Sequence, residues 1–190
     1  MRKPDNYDET AAQTGGFEQL PAGAYNCIIK DANEIQSKSG KAMLQLRLDI
    51  ADGKHKDYFQ NLYTTQNRKY ADVKWKGIYN QLTEGESLGF FKGLIQDIED
   101  SNPGYKFNFD EKTLKDKKIG GVFGREQFKA QDGTLKFTPK CFYCVDIKRV
   151  KDIDAPADKL IEQSNFNSSY NNAATNSPMT EIDTDSELPF

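Results

Sequence analysis

Residues 43–50 read Met43-Leu44-Gln45-Leu46-Arg47-Leu48-Asp49-Ile50, and this octet sets the period on which the fold is built. Leu44, Leu46, Leu48 and Ile50 alternate with Gln45, Arg47 and Asp49, which is the period of two expected of a strand with one buried face. The first set should face a core and the second should point outward. Upstream, a polar turn over residues 37–41 separates the octet from a β-prone run at 24–31, where Tyr25, Cys27 and Ile29 alternate with Asn26, Ile28 and Lys30. Downstream, a turn at 51–54 leads to residues 58–63, read as a third strand.

The next signal has a different period. Thr83 with Glu86 three residues later forms a capping box, and Leu88, Phe91, Leu94, Ile95 and Ile98 fall at helical spacing until Ser101-Asn102-Pro103-Gly104 stops them. Extended character returns over 118–128 and 136–150, separated by the hairpin signal Gln131-Asp132-Gly133. Pro139 marks an edge strand or a bulge, because it has no N–H to give to a ladder. The order is three strands, one helix, two strands. The expected fold is therefore mainly β, a five-stranded barrel like the OB-fold with a helix between strands 3 and 4.

Composition bounds the rest. The chain has 190 residues, of which 36% are hydrophobic, with 12 Phe and 9 Tyr. This suffices for one core of ordinary size, with part of the chain left over. No apolar run approaches the ~18–20 residues of a membrane span, and Met1-Arg2-Lys3 leads into polar residues instead of a signal-peptide core. Cys27, Cys141 and Cys144 are too few for a disulfide scaffold. A soluble protein of a reducing, intracellular compartment is expected.

The net charge of −3 conceals a partition: −1 over residues 1–15, +5 over 16–151 and −7 over 152–190. A basic body suits a polyanion, and the acidic end needs a separate explanation. The chain divides accordingly into a flexible arm at 1–15, a folded domain at 16–151, a polar disordered linker at 152–180 and an acidic tip at 181–190.

Residues 63–76 interleave bases with rings: Arg68, Lys69, Lys74 and Lys76 bracket Tyr70 and the single Trp75, with Tyr63 at the start. Single-stranded nucleic acid calls for both, cations for its phosphates and flat rings on which unpaired bases stack. An amphipathic helix burying Tyr70, Val73 and Ile78 is the competing explanation. Further candidate contacts are Lys38 and Lys41 in the first turn, Arg47 on the outward face of the second strand, and Arg125, Lys129 and Lys136 around the last hairpin.

Other motifs carry less. Cys141 and Cys144 have C-x-x-C spacing, but in a strand, residues three apart face opposite sides and a zinc site lacks its other ligands, so structural cysteines are expected. Gly120-Gly121-Val122-Phe123-Gly124 has no following Lys-Ser or Lys-Thr, and tight packing or a barrel bend accounts for it. No nucleophile–base–acid set is legible, and no metal or cofactor is expected. Asp97, Glu99, Asp100, Asp110 and Glu111 read as helix surface and loop in preference to a Mg²⁺ site.

The last residues, Asp183-Thr184-Asp185-Ser186-Glu187-Leu188-Pro189-Phe190, offer a rigid apolar ring, a carboxylate and a run of negative charge. They resemble the acidic tip of bacterial single-stranded DNA-binding proteins, in which acidic residues precede a terminal Pro-Phe and recruit replication, repair and recombination enzymes. Here Leu188 stands where Ile is usual, and Thr184 and Ser186 interrupt the acidic run. The body resembles a phage-encoded group of single-stranded DNA-binding proteins from phages of Gram-positive bacteria. The stretches that carry this likeness are Phe17-Glu18-Gln19-Leu20-Pro21-Ala22-Gly23-Ala24-Tyr25, Asn61-Leu62-Tyr63, Phe90-Phe91-Lys92-Gly93, 99–105 and Ile119-Gly120-Gly121-Val122-Phe123-Gly124.

The resemblance implies a non-catalytic protein that coats single-stranded DNA in phage replication, recombination or repair within the bacterial cytoplasm. Asp183, Asp185, Glu187, Leu188, Pro189 and Phe190 would dock partner enzymes. The +5 and −7 partition adds the expectation that the tail competes with DNA for the body. No membrane partner is expected, and a homo-oligomer is left open. Two other readings remain at this stage: an adaptor mimicking the host protein's tail, and a Mg²⁺-dependent recombination nuclease.

Overall fold

Strand β1 (Gly23–Gln36) and strand β2 (Ala42–Ile50) pair antiparallel, Cys27 opposite Ile50 and Gln36 opposite Ala42. A bulge between Ile29 and Asp31 inserts one extra residue, so inward positions pass from odd (Cys27, Ile29) to even (Ala32). This change of parity hides the continuation of β1 to Gln36, five residues past the end of its legible alternation. The computed structural model describes residues 18–161 apart from 69 and 131. The expected arm at 1–15 and the tip at 181–190 lie outside the described residues.

Strands β3 (Ile78–Leu82), β4 (Lys118–Lys129) and β5 (Leu135–Val145) complete one antiparallel sheet in the order β3-β2-β1-β4-β5. Helix α1 (Tyr58–Asn67) lies in the connection between β2 and β3, and helix α2 (Leu88–Ser101) in that between β3 and β4. The expected strand count and the place of α2 hold, and the strand order is that of an OB-like sheet. The barrel is not closed: among the described residues no ladder joins β3 to β5, although the two strands approach and α2 touches both. Inside lie Ile29, Leu46, Leu48, Ile98, Ile119 and Phe123, all fully buried. No helix among the described residues is long and apolar enough to cross a membrane.

The expected third strand at 58–63 is instead the start of α1. The reason is Asp49, expected to point into solvent but fully buried. Its carboxylate accepts the N–H groups of Phe59 at 2.9 Å and Gln60 at 3.2 Å, two of the donors that the first turn of a helix leaves unmatched. Tyr58 and Phe59 then turn into the core. Residues 78–82 supply the third strand.

Three further expectations change in detail. Thr83 and Glu86 form no capping box: a 3-10 turn over Gly85–Ser87 precedes α2, while Thr83 N–H and the Glu84 carboxylate bond the carbonyl and N–H of Ala42. The last strand stops at Val145 and not at 150, because Asp146 caps a 3-10 turn (Ile147–Asp152) and the Ser101 hydroxyl accepts the Ile147 N–H. Cys141 and Cys144 share the inner face instead of facing opposite sides. Phe142 is bulged out of register between Tyr143 and Cys141, which brings the two sulfurs to 4.0 Å. Burial pushes the Cys144 and Cys27 thiols well up, so both stay protonated.

The glycine run in β4 is a packing device, as expected. A Cβ on Gly120 would fall 2.6 Å from Val150, and one on Gly121 2.8 Å from the Phe123 ring and 2.9 Å from the Cys27 sulfur. Pro139 sits on β5 at the edge of the sheet, opposite Arg125. Beyond Phe123, β4 outruns β1, and the vacant edge is taken by the start of the expected linker. Lys159 pairs there in parallel with Glu126, giving its N–H to Arg125 and accepting that of Gln127, both at 2.8 Å.

Candidate nucleic-acid interface

On the outer face of the sheet, residues that alternate with the core positions of β2 and β3 form the floor of an open groove of about 490 Å³: Gln45, Arg47 and Ile78. Arg47 stands opposite Ile78 and Gln45 opposite Asn80, whose side chain accepts from the Gln45 amide at 3.1 Å. Gln60 and Tyr63 of α1 make one wall. The returning segment makes the other with Val73, Lys74 and Trp75. Asp49 therefore fixes the site as well as the helix, since it anchors the turn of α1 from which Gln60 and Tyr63 project.

Two contacts to one residue of β2 stitch the returning segment down. Leu48 gives its N–H to the Gly77 carbonyl at 2.6 Å, and its own carbonyl accepts the Trp75 indole N–H at 2.9 Å. The Trp75 ring is thereby fixed, half-buried, with its centroid 5.7 Å from that of Tyr63 and an angle of 44° between the planes. Arg47 is about half exposed and lies 3.6 Å from Asp31, so its charge is shared. Lys74 is exposed and has no carboxylate within 4 Å among the described residues. The groove thus presents a rigid pair of rings flanked by two cations, an arrangement able to stack a flat base while holding its phosphate.

Of the residues singled out in the sequence, Arg47, Tyr63, Lys74 and Trp75 come together here. Arg68, Tyr70 and Lys76 belong to the same connection and are exposed, Tyr70 to 67%, without lining the groove. Residues 70–77 form no amphipathic helix, and Lys69 lies outside the described residues. Lys38 and Lys41 sit in the β1–β2 turn, about 20 Å along β2 from Arg47 at the strand rise of ~3.3 Å per residue.

The hairpin bases stand apart. The β4–β5 hairpin leaves the opposite end of β1 from the β1–β2 turn, and its cations are largely engaged. Arg125 makes a two-pronged pair with Asp158 at 2.8 and 2.5 Å and lies over the Phe137 ring, and Lys136 meets Asp132 at 3.4 Å. Lys129 is exposed.

Gln45, Gln60, Val73 and Ile78 were not expected at the site. Gln60 and Ile78 escape notice because the helix and strand of this connection are interchanged in the sequence reading, and Val73 because an apolar residue there reads as core. Two of the carboxylates considered for a metal have other partners. Glu99 holds Lys106 at 2.6 Å and the Phe107 N–H at 3.0 Å, and the Lys106 contact keeps its carboxyl below the usual range. Asp110 caps a 3-10 turn, and burial raises the Asp97 carboxyl. No group of three or more His, Cys, Asp or Glu placed to share a metal occurs among the described residues.

Residues 5–96 match the model of a family described as a protein of unknown function, DUF669. The matched region includes β1, β2, α1 and β3, and with them every residue of the groove. No curated protein matches the chain.

Proposed function

We propose that the chain binds single-stranded DNA without cleaving it, in the groove over β2 and β3, and that its acidic tip recruits enzymes of phage replication, recombination or repair inside the bacterial host. The reading rests on one observation: Arg47 and Lys74 flank the Tyr63–Trp75 ring pair in a single open groove. Phosphates take the cations, bases stack at the rings, and nothing in such a platform selects a sequence. The tip residues Asp183, Asp185, Glu187, Leu188, Pro189 and Phe190 enter through their resemblance to the bacterial tip, with a basic-rimmed apolar pocket on the partner as the matching chemistry.

Titration with oligo-dT tests this. Trp75 is the only tryptophan, so its fluorescence reports the groove alone, and quenching that saturates is expected. In a salt series the log–log slope should be about −0.7 for each phosphate neutralised, and Lys74→Ala should remove about one such increment. Tyr63→Ala should cost about 1–2 kcal/mol of binding with the slope unchanged, because a ring and not a charge is lost. Absence of both quenching and gel retardation in dilute buffer overturns the proposal, and shortening of an end-labelled strand in Mg²⁺ replaces it with a nuclease.

A further inference from the structure

We infer that the connection from α2 to β4, residues 105–118, is a second contact surface for the same single strand, with Phe109 as its stacking ring. The inference rests on the function proposed above and extends the path of the DNA beyond the groove.

Phe109 is 83% exposed and its φ is 63°, a left-handed conformation that a bulky side chain rarely adopts. The loop beneath it is firmly held. Leu114 is fully buried, the Phe107 N–H is bonded to Glu99, the Tyr105 hydroxyl meets that of Thr113 at 2.8 Å, and Thr113 donates to the Asp110 carbonyl at 2.7 Å. A strained backbone on a fixed base therefore holds an apolar ring out in water, where it buries almost nothing. Its neighbour is another ring, Phe107, with centroids 5.4 Å apart and planes at 51°.

The charges around these rings favour a polyanion over an apolar protein face. Residues 105–118 carry Lys106, Lys112, Lys115, Lys117 and Lys118 against three carboxylates. Lys106 is taken by Glu99, and Lys117 lies 4.7 Å over the Tyr105 ring. Lys112, Lys115 and Lys118 are exposed, with no carboxylate within 4 Å among the described residues.

Lys118, at the end of this surface, also shares a sheet face with the floor of the groove. Ile29 of β1 bonds Asp116 and Lys117 on one side and stands opposite Leu48 of β2 on the other. Lys118 is level with Ile28, and Ile28 with Asp49, two residues along β2 from Arg47 and of the same outward parity. One strand, β1, separates Lys118 from β2, and with two residues of rise along the strand Lys118 lies about 12 Å from Arg47 at ordinary strand spacing. A single strand of modest length can cross that distance.

The test is binding of the full chain and of Phe109→Ala to oligo-dT of about 6 and about 20 nucleotides, lengths chosen to fill the groove alone or to overrun it. The ring is so exposed that its removal leaves the fold intact, which circular dichroism checks. Expected is unchanged affinity for the short oligomer and a loss of about five- to thirtyfold for the long one. Lys115→Ala should lower the salt slope by about 0.7 for the long oligomer only. Equal affinities of Phe109→Ala and wild type at both lengths overturn this inference and leave the groove standing, as does an equal loss at both lengths. A wild type that binds neither oligomer overturns the proposed function and this inference with it.

Discussion

Asp49→Ala is expected to lower the unfolding free energy by about 3 kcal/mol, the cost of leaving three buried or half-buried N–H groups without an acceptor after partial relaxation. The Asp49 carboxylate accepts from Ile50 and Phe59 at 2.9 Å and from Gln60 at 3.2 Å. Urea unfolding measures the loss. Asp49→Asn should recover part of it, since one oxygen can still accept from Ile50 and Phe59 while the new amide N–H₂ faces the Gln60 donor. The pH dependence has a definite sign. Burial outweighs the three N–H contacts and holds the Asp49 carboxyl above its ordinary value, so the folded chain binds that proton more tightly than the unfolded one. Its contribution to stability is fullest below the unfolded carboxyl pKa and shrinks as pH climbs toward the raised value. Wild type should accordingly lose stability relative to Asp49→Asn across that window. A difference that grows with pH would show that the N–H contacts dominate instead.

Gly77→Ala is the second large effect. A Cβ there would fall 2.3 Å from the Leu48 carbonyl oxygen and 2.7 and 2.9 Å from carbons of the Phe59 ring. One neighbour is backbone and the other is locked in the core, so the segment itself must lift from β2. We expect about 3 kcal/mol of destabilisation, read as a fall of about 10 °C in Tm. Oligo-dT affinity should also drop at temperatures where the variant is still folded, because Gly77 and Trp75 are fastened to the N–H and the carbonyl of the same residue, Leu48, and the ring must move with the chain. Folded Gly77→Ala with wild-type affinity would separate the position of Trp75 from binding.

These two residues also show where a sequence stops being legible. The octet 43–50 announced its strand because nothing interrupts its alternation, and α2 announced itself through Leu94 and Ile98 at helical spacing. Asp49 did not, because an outward polar residue in a strand looks the same whether water or a helix end receives it. Its helix partners lie ten and eleven residues away, across a turn. The bulges at Lys30 and Phe142 defeated parity arguments, which presuppose an unbroken pleat, and so hid both the length of β1 and the meeting of Cys141 with Cys144. At the groove, the mixture of bases and rings pointed to Tyr63, Lys74 and Trp75 but equally to Arg68, Tyr70 and Lys76, which do not line it, and Arg47 came from the outward parity of β2. The neutralisation of Arg125 by Asp158 was not visible, as the two are 33 residues apart in the chain.

The short run that ends the described chain has a consequence for how these molecules behave in a crowd. Where β4 extends past the start of β1, Lys159 serves as a borrowed rung. Cut the polypeptide at residue 151 and the Gln127 amide and Arg125 carbonyl become a bare, sticky margin onto which a neighbouring copy can zip. Such a shortened protein should drift toward dimers and precipitate as its concentration rises, whereas one carried through residue 161 should stay dispersed; sedimentation across a dilution series distinguishes them.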